Sequence, residues 1–428
     1  MKSYSRQSQA DVKKNNLRLI LQTLIQHEPL SRADVVRRTK ISKPTVSSLI
    51  EELIQRGIVT EIGHGRSSGG RRPILLKFKA MRKYFLAVDL GREDFTIAIA
   101  DLKGKIRDKY SETFDHSQKL YQRMSTIKER VFELLDKHKL DRSDLLKVIC
   151  IAAGVYVEHE KQLKWFPDNT RNENLDIKNY FSKVFGTEVL VNHSTKLSLL
   201  GEKISGKAKG YQNVVYIDFA YGLGCSLMIN GQVYFGNNNA AGEIAYFFSN
   251  LDDFHSSNIE PYTFGTLEQK ISGFALQRSG KNAVEGEEKN IRILELAGGD
   301  AQKISGRIVF QAAMEGDAIA CAILRDAFEY FNMALANTIN LINPDIVIFG
   351  GGFSAAGEYL LRLIVPALGG KVLFLPRLEI SHLKKDAGII GGFHWLVDQT
   401  DFLEVFSAKT MVSAKGRENS TAPIEGGP

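Results

Sequence analysis

Lys43, Thr45, Ser47 and Ser48, with Ser42 just ahead of them, gather one ammonium group and four hydroxyls in a short segment. Further on, Arg66, Arg71 and Arg72 stand in a loop otherwise built largely from Gly and Ser. Such groups, on exposed elements, bind phosphate oxygens and read base edges. The residues between them supply the elements. Ser42 suits a helix N-cap and Pro44 a first turn, where its missing N–H costs nothing. Val46, Leu49, Ile50 and Leu53 recur at helical spacing, so the polar residues fall mostly on the other face and near the N-terminal end. That is the end a recognition helix presents to the major groove. After Gly57, Ile58–Ile62 and Ile74–Phe78 read as two strands around a Gly-rich tip, a wing whose arginines suit the negative potential of a narrow minor groove. The blander alternative is a solvated basic loop on an amphipathic hairpin.

The residues upstream complete a reading head. Residues 1–12 are polar and read as frayed. Leu17, Ile20 and Leu24 then give a first helix ending near His27, and Ser31 with Asp34 forms a capping-box variant opening a second. Residues 1–80 carry 16 Lys+Arg against 6 Asp+Glu, whereas residues 81–428 carry 40 against 43. All the excess positive charge therefore lies on the segment with the helix-turn-helix pattern, which points to a polyanion at that end, in keeping with the double-stranded DNA a recognition helix reads, rather than to a generally sticky protein. Cys150, Cys225 and Cys321 show no paired spacing and read as reduced core residues of a cytoplasmic protein. No apolar run reaches the roughly 18 residues of a membrane span, and no secretory signal core is present.

Beyond residue 80 the periodicity changes. Tyr84–Leu90, Phe95–Leu102 and Lys105–Phe114 read as strands, Leu120–His138 as a helix and Val148–Gly154 as a buried strand. A short helix, a strand at Glu188–Asn192 and a helix at Ser194–Ser205 follow, and strands resume at Val214–Phe219. Strands alternating with helices of this length predict α/β layers. The strand-turn-strand pattern at Asp89 recurs at Asp218, which predicts two related lobes with a cleft between them. Residues 251–266 read as irregular and 409–428 as a disordered tail.

Four motifs, in order, resemble those of the ROK family of repressors and sugar kinases, specifically its xylose-operon and N-acetylglucosamine repressor branch. They are Arg66-Ser67-Ser68-Gly69-Gly70-Arg71-Arg72-Pro73, the strand and turn at Asp89, Ala241-Gly242-Glu243, and Asn343-Pro344-Asp345 running into Gly350-Gly351-Gly352. The resemblance spans about residues 13–398. It implies an α/β chain in which a winged helix-turn-helix (1–80) precedes a two-lobed actin-like ATPase domain. The first lobe takes 82–194 plus about 381–400, the second 195–380.

The departures from the family's kinases carry as much information. Their first phosphate turn is acidic residue, Gly, Gly, Thr; here it reads Asp89-Leu90-Gly91-Arg92-Glu93-Asp94, with carboxylates and a bulky side chain where phosphate oxygens would go. The second turn survives in part as Tyr221-Gly222-Leu223-Gly224. Their catalytic Asn-Asp pair is Asn192-His193, so the aspartate that would take a proton from the sugar hydroxyl is missing. Their His and three Cys zinc ligands correspond to Tyr246, Ile259, Pro261 and Thr266; no metal, no cofactor and no catalytic residue is expected. The resemblance assigns sugar contacts to Asn169, Asn192, His193, Glu243, Tyr246 and Glu268. Their structural alternative is that of solvated loop or helix-cap residues.

The resulting expectation is a sugar-responsive repressor, a homodimer or dimer of dimers on a palindromic operator. Ser42, Lys43, Thr45, Ser47, Ser48, Arg66, Arg71 and Arg72 would touch DNA. Two other readings remain open: a sugar kinase with an accessory DNA-binding head, and a repressor controlled by a partner protein.

Overall fold

The computed structural model describes residues 8–65, 72–91, 94–115, 118–153, 156–158, 162–165, 175–256, 264–285 and 292–406. They divide into two compact units, one holding residues 1–83, 101–103 and 397 onward, the other 84–100 and 104–396.

The first unit contains α1 (Gln9–His27), β1 (Leu30–Ser31), α2 (Arg32–Thr39), α3 (Lys43–Gln55), β2 (Val59–His64) and β3 (Ile74–Phe78). α1 begins before the expected position because Ser8 and Asp11 form a capping box: Ser8 Oγ accepts the Asp11 N–H at 3.1 Å and the Asp11 carboxylate accepts the Ser8 N–H at 3.2 Å. Residues 9–12 are thus helical and not frayed. Ser31 and Asp34 cap α2 in the same way. β3 is the central strand, antiparallel to both β1 and β2, with Leu30 opposite Leu76 and Val59 opposite Phe78. Ile20, Leu24, Val35, Val46, Ile50, Leu53 and Leu76 are fully buried and form the core that the helical spacing anticipated.

The second unit is built twice on one plan. Its first lobe has β4 (Tyr84–Leu90), β5 (Asp94–Asp101), β6 (Ile106–Thr113), α4 (Leu120–Lys137) and β7 (Leu145–Ala152). A small antiparallel sheet of β8 (Tyr156–Glu158), β9 (Gln162–Trp165) and β10 (Leu175–Asp176) follows, then α5 (Ile177–Phe185), β11 (Glu188–His193) and α6 (Ser194–Ser205). The second lobe has β12 (Val214–Phe219), β13 (Leu223–Ile229), β14 (Gln232–Tyr234), α7 (Leu251–Ser256), α8 (Gly273–Val284), α9 (Arg292–Leu296), α10 (Gly306–Met314), α11 (Ala318–Ile342), β15 (Ile346–Gly351), α12 (Glu358–Leu368) and β16 (Arg377–Ile380). Strand orders β11-β7-β4-β5-β6 and β16-β15-β12-β13-β14 match position for position. Each sheet thus places a central strand, β4 or β12, between a parallel neighbour and the first strand of a hairpin. Those central strands end in Asp89-Leu90 and Asp218-Phe219, which is why the two aspartates recur in equivalent places.

Within residues 251–266, expected to be irregular, α7 forms one short helix, helped by Asn250 Oδ1, which accepts the Asp253 N–H at 2.7 Å. After α13 (Asp386–Asp398) comes α14 (Phe402–Val405), which belongs to the first unit. Phe402 lies edge-on to Phe78 at 5.4 Å, Arg18 pairs with Asp401, and Lys14 pairs with Glu404 at 2.7 Å. The C-terminal turn therefore braces α1 and the wing strand. Residues 409–428, read as a tail, lie outside the described residues.

Candidate functional site

In the first unit the apolar spacing of α3 turns Val46, Leu49, Ile50 and Leu53 inward and leaves Ser42, Lys43 and Ser48 exposed, with Thr45 and Ser47 half-buried. Ser42 takes the extended N-cap backbone, but its side chain bonds Thr45 Oγ1 at 2.8 Å and makes no cap bond to a backbone N–H. The N-terminal N–H groups of α3 thus lack a side-chain cap from Ser42, as suits a helix end that meets phosphate. Arg72 is exposed at the start of the return to β3. Arg66 and Arg71 fall outside the described residues. Two further cations, Arg38 and Lys40, are exposed at the turn between α2 and α3, where Lys40 adopts φ +60°. The sequence signal for them was the basic run at Arg37-Arg38, which the helix-centred reading passed over.

In the second unit both lobes contribute to one cavity of about 900 Å³. The first lobe supplies Asp89, Gly91, Asp94 and His193; the second supplies Asp218, Gly222, Glu243, Tyr246, Glu268 and Gly351. Four of the residues assigned to sugar, His193, Glu243, Tyr246 and Glu268, are thereby brought together. Asn192 is not among the lining residues; its Oδ1 accepts the His193 N–H at 2.8 Å and shapes the strand end. Asn169 lies outside the described residues.

His193 ends β11 and caps α6. Its Nδ1 accepts the Thr195 N–H at 3.4 Å and sits 2.9 Å from Thr195 Oγ1, while Nε2 faces Glu243 Oε1 at 3.9 Å. Burial, reinforced by the Lys196 charge, pushes the imidazole down to about 3. A neutral ring whose Nδ1 accepts from the backbone carries its proton on Nε2, so it offers a donor toward the cavity and is a poor proton acceptor. Glu243 is delivered by Gly242 at φ +91°, where a Cβ would meet Cys225 O at 2.7 Å; only glycine permits that approach. Glu268 does more than line the cavity: Oε1 accepts the Leu223 N–H at 2.8 Å and Oε2 the Gly265 N–H at 3.3 Å. At the segment that corresponds to the kinases' zinc element, Thr266 donates to Phe247 O at 2.8 Å, a side-chain tie between two loop segments, whereas Ile259 and Pro261 lie outside the described residues.

The central strands give the cavity its electrostatics. Burial, with the charges of Asp94 and Asp218 and against that of Lys385, pushes Asp89 up to about 7. Burial alone pushes Asp218 up to about 6. Lys385 pairs with Asp94 and Lys109 with Asp386 at 2.5 Å.

A profile of the ROK family matches residues 85–399, and one of the MarR family matches residues 18–72. The chain is similar to a xylose repressor of Caldicellulosiruptor bescii, 26% identical over 390 residues that cover 89% of this chain and 94% of that protein. It is also similar to an N-acetylglucosamine repressor of Escherichia coli O157:H7, 21% identical, covering 88% and 89%. Among solved structures, a ROK family transcriptional regulator described as a homolog of the E. coli MLC protein superposes with a TM-score of 0.69 at 22% identity, covering 91% of this chain and 96% of that one. A ROK family glucokinase from Streptomyces griseus, in complex with glucose and AMPPNP, superposes with a TM-score of 0.60 at 22% identity over 74% of this chain and 100% of its own. Across membranes the finding is narrower: no described helix is long and apolar enough to span one.

Proposed function

Because the chain belongs to the ROK family and carries a winged helix-turn-helix ahead of its two lobes, we propose that it is a DNA-binding transcriptional repressor of carbohydrate-metabolism genes, controlled by a sugar held between those lobes. The observation that carries this reading is the pairing of an exposed, uncapped basic helix end at Ser42–Ser48 with a cavity that gathers His193, Glu243, Tyr246 and Glu268. The named relatives support it: matches over 89% and 88% of this chain, at 26% and 21% identity, are named a xylose repressor and an N-acetylglucosamine repressor. The glucokinase likeness covers 74% of this chain, against 91% for the transcriptional regulator. Ser42, Lys43, Thr45, Ser47, Ser48 and Arg72 act on the DNA, as do Arg66 and Arg71 of the glycine-rich stretch. His193 Nε2 donates to, and Glu243 accepts from, sugar hydroxyls. Histidine in place of the kinases' aspartate, held neutral by burial, argues against phosphoryl transfer.

A palindromic operator needs two copies related by a twofold axis. Asn340 bonds Lys371 O at 3.0 Å and Leu373 N at 2.9 Å, which sets Leu341 beside the loop at 371–375. There Leu341, Leu373 and Phe374 are 78%, 83% and 73% exposed. A cluster of large apolar side chains this exposed marks an interaction surface. We assign the second copy of this chain as its occupant; light scattering should report a dimer and Phe374→Ser a monomer.

The test of the functional reading is a gel-shift series over salt on the chain's own upstream region, joined to calorimetry with a panel of sugars. A shift that weakens steeply with salt, and one sugar that binds, are the expected results. A salt-independent or absent shift would remove the repressor reading. Sugar phosphorylation from ATP by the purified chain would replace it with a kinase.

A further inference from the structure

Of the five described glycines that line the cavity, three stand where chain turns leave the sheets with a carboxylate close by: Gly91 after β4, Gly222 before β13 and Gly351 at the end of β15. A Cβ on each would lie less than 3.0 Å from a carboxylate oxygen, from Asp94 Oδ1, Glu268 Oε1 and Asp218 Oδ1 respectively. Glycine turns that open backbone N–H groups toward a ligand are where phosphates are cradled. Here the space over each glycine already holds an anion of this chain. At Gly222 the replacement extends to the hydrogen bonds, since the Leu223 N–H that a phosphate would receive is given to Glu268 at 2.8 Å.

The charge balance points the same way. Among the described residues, six carboxyl groups line the cavity (Asp89, Asp94, Asp218, Glu243, Glu268 and Asp386), five of them beside an Asp89 that is pushed up to about 7, against three lysines, Lys109, Lys384 and Lys385. Two of those lysines are paired, Lys109 with Asp386 and Lys385 with Asp94. A phosphate brought to these turns would meet Asp94, Asp218 and Glu268 as like charge, with the Leu223 N–H engaged and two of the three described lysines paired.

We propose that Asp94, Asp218 and Glu268 close the cleft to phosphate groups, so that it takes an unphosphorylated sugar and rejects sugar phosphates and nucleotides. The sugar identity rests on the functional reading above; the exclusion of phosphate does not.

The experiment uses the full chain, with calorimetry and thermal stabilisation against N-acetylglucosamine, glucose and xylose, the 6-phosphates of the first two, and inorganic pyrophosphate as a bare anion probe. Wild type should ignore millimolar pyrophosphate and bind a neutral sugar roughly 100-fold more tightly than its 6-phosphate. Glu268→Ala, which frees the Leu223 N–H, should gain pyrophosphate binding. Glu268→Gln and Asp94→Ala provide the same readout should the alanine variant fail to fold. Wild type that binds pyrophosphate, or that binds a 6-phosphate as well as its parent sugar, overturns the proposal. Folded variants that gain no pyrophosphate binding overturn it as well. Should no sugar bind at all, the sugar reading falls, while the pyrophosphate arm still decides the exclusion.

Discussion

The head and the cleft solve opposite problems with the same inventory of side chains. The head turns its apolar residues inward and leaves hydroxyls and cations in water, ready for a polyanion. The cleft draws carboxyl groups away from bulk water, enough to raise Asp89 to about 7 and Asp218 to about 6, and sets Asp94, Asp218 and Glu268 over glycines. The difference teaches where each interaction draws its strength. A phosphate backbone is met by exposed, salt-sensitive charge. A neutral polyol is met by buried, prearranged donors and acceptors, whose loss cannot be made good by solvent.

If the two regions work as separable parts, damage to one should spare the other. The largest effect is expected from Ile50→Asp: a charge at a fully buried position in α3 should unfold the head and abolish DNA binding. Calorimetric sugar binding should survive; its loss would break the division between the parts. Glu243→Gln should come next, weakening sugar binding roughly 10- to 100-fold while leaving sugar-free DNA affinity within about twofold. A change in sugar-free DNA affinity as large as the loss in sugar affinity would mean that Glu243 serves the fold instead.

A third variant addresses the buried acids. Asp89 is raised from an ordinary value of 3.8 to about 7, so the folded chain holds a proton there that the unfolded chain has released. Its contribution to stability is therefore full below about pH 4 and is lost as pH rises to 7. Asp89→Asn stays neutral throughout. In thermal melts the variant should gain on wild type across that window and keep an advantage on the order of 1–3 kcal/mol at pH 8. A constant difference at all pH values would mean that the carboxyl is not held protonated. The smallest effect belongs to Arg72→Ala, with DNA affinity down about 3- to 10-fold and the salt dependence shallower by about one ion. An unchanged salt slope would remove Arg72 from the interface.

The head was legible in the sequence because its determinants are local. A cap, a helical stripe and a glycine-rich turn sit within a few residues of what they control, and the cap at Ser31 acts over three residues, although the equally local cap at Ser8 went unread. Even there a side chain misled: Ser42 stands at the expected cap position yet spends its hydroxyl on Thr45. The doubled lobe was visible as the recurrence of Asp89 at Asp218, since a buried strand and its turn are also local patterns. The cleft was legible only as a set of residue names. Glu268 and Leu223 are 45 residues apart, and nothing in the spacing tells that one oxygen of that carboxylate is engaged by a backbone N–H. Asn192, a sugar contact by resemblance, supports the strand end, because an amide next to a helix cap finds its nearest donor in the following N–H. Long-range placement of this kind depends on packing of whole lobes, which periodicity does not encode.

The most direct test of the account is a linkage measurement: fluorescence anisotropy of the full chain on its own upstream DNA, with and without the sugar found by calorimetry, at fixed salt. The account predicts specific binding whose affinity changes about 5- to 150-fold when the cleft is saturated. Identical affinities with the sugar demonstrably bound would contradict it, since a ligand that does not distinguish the DNA-binding states cannot control them.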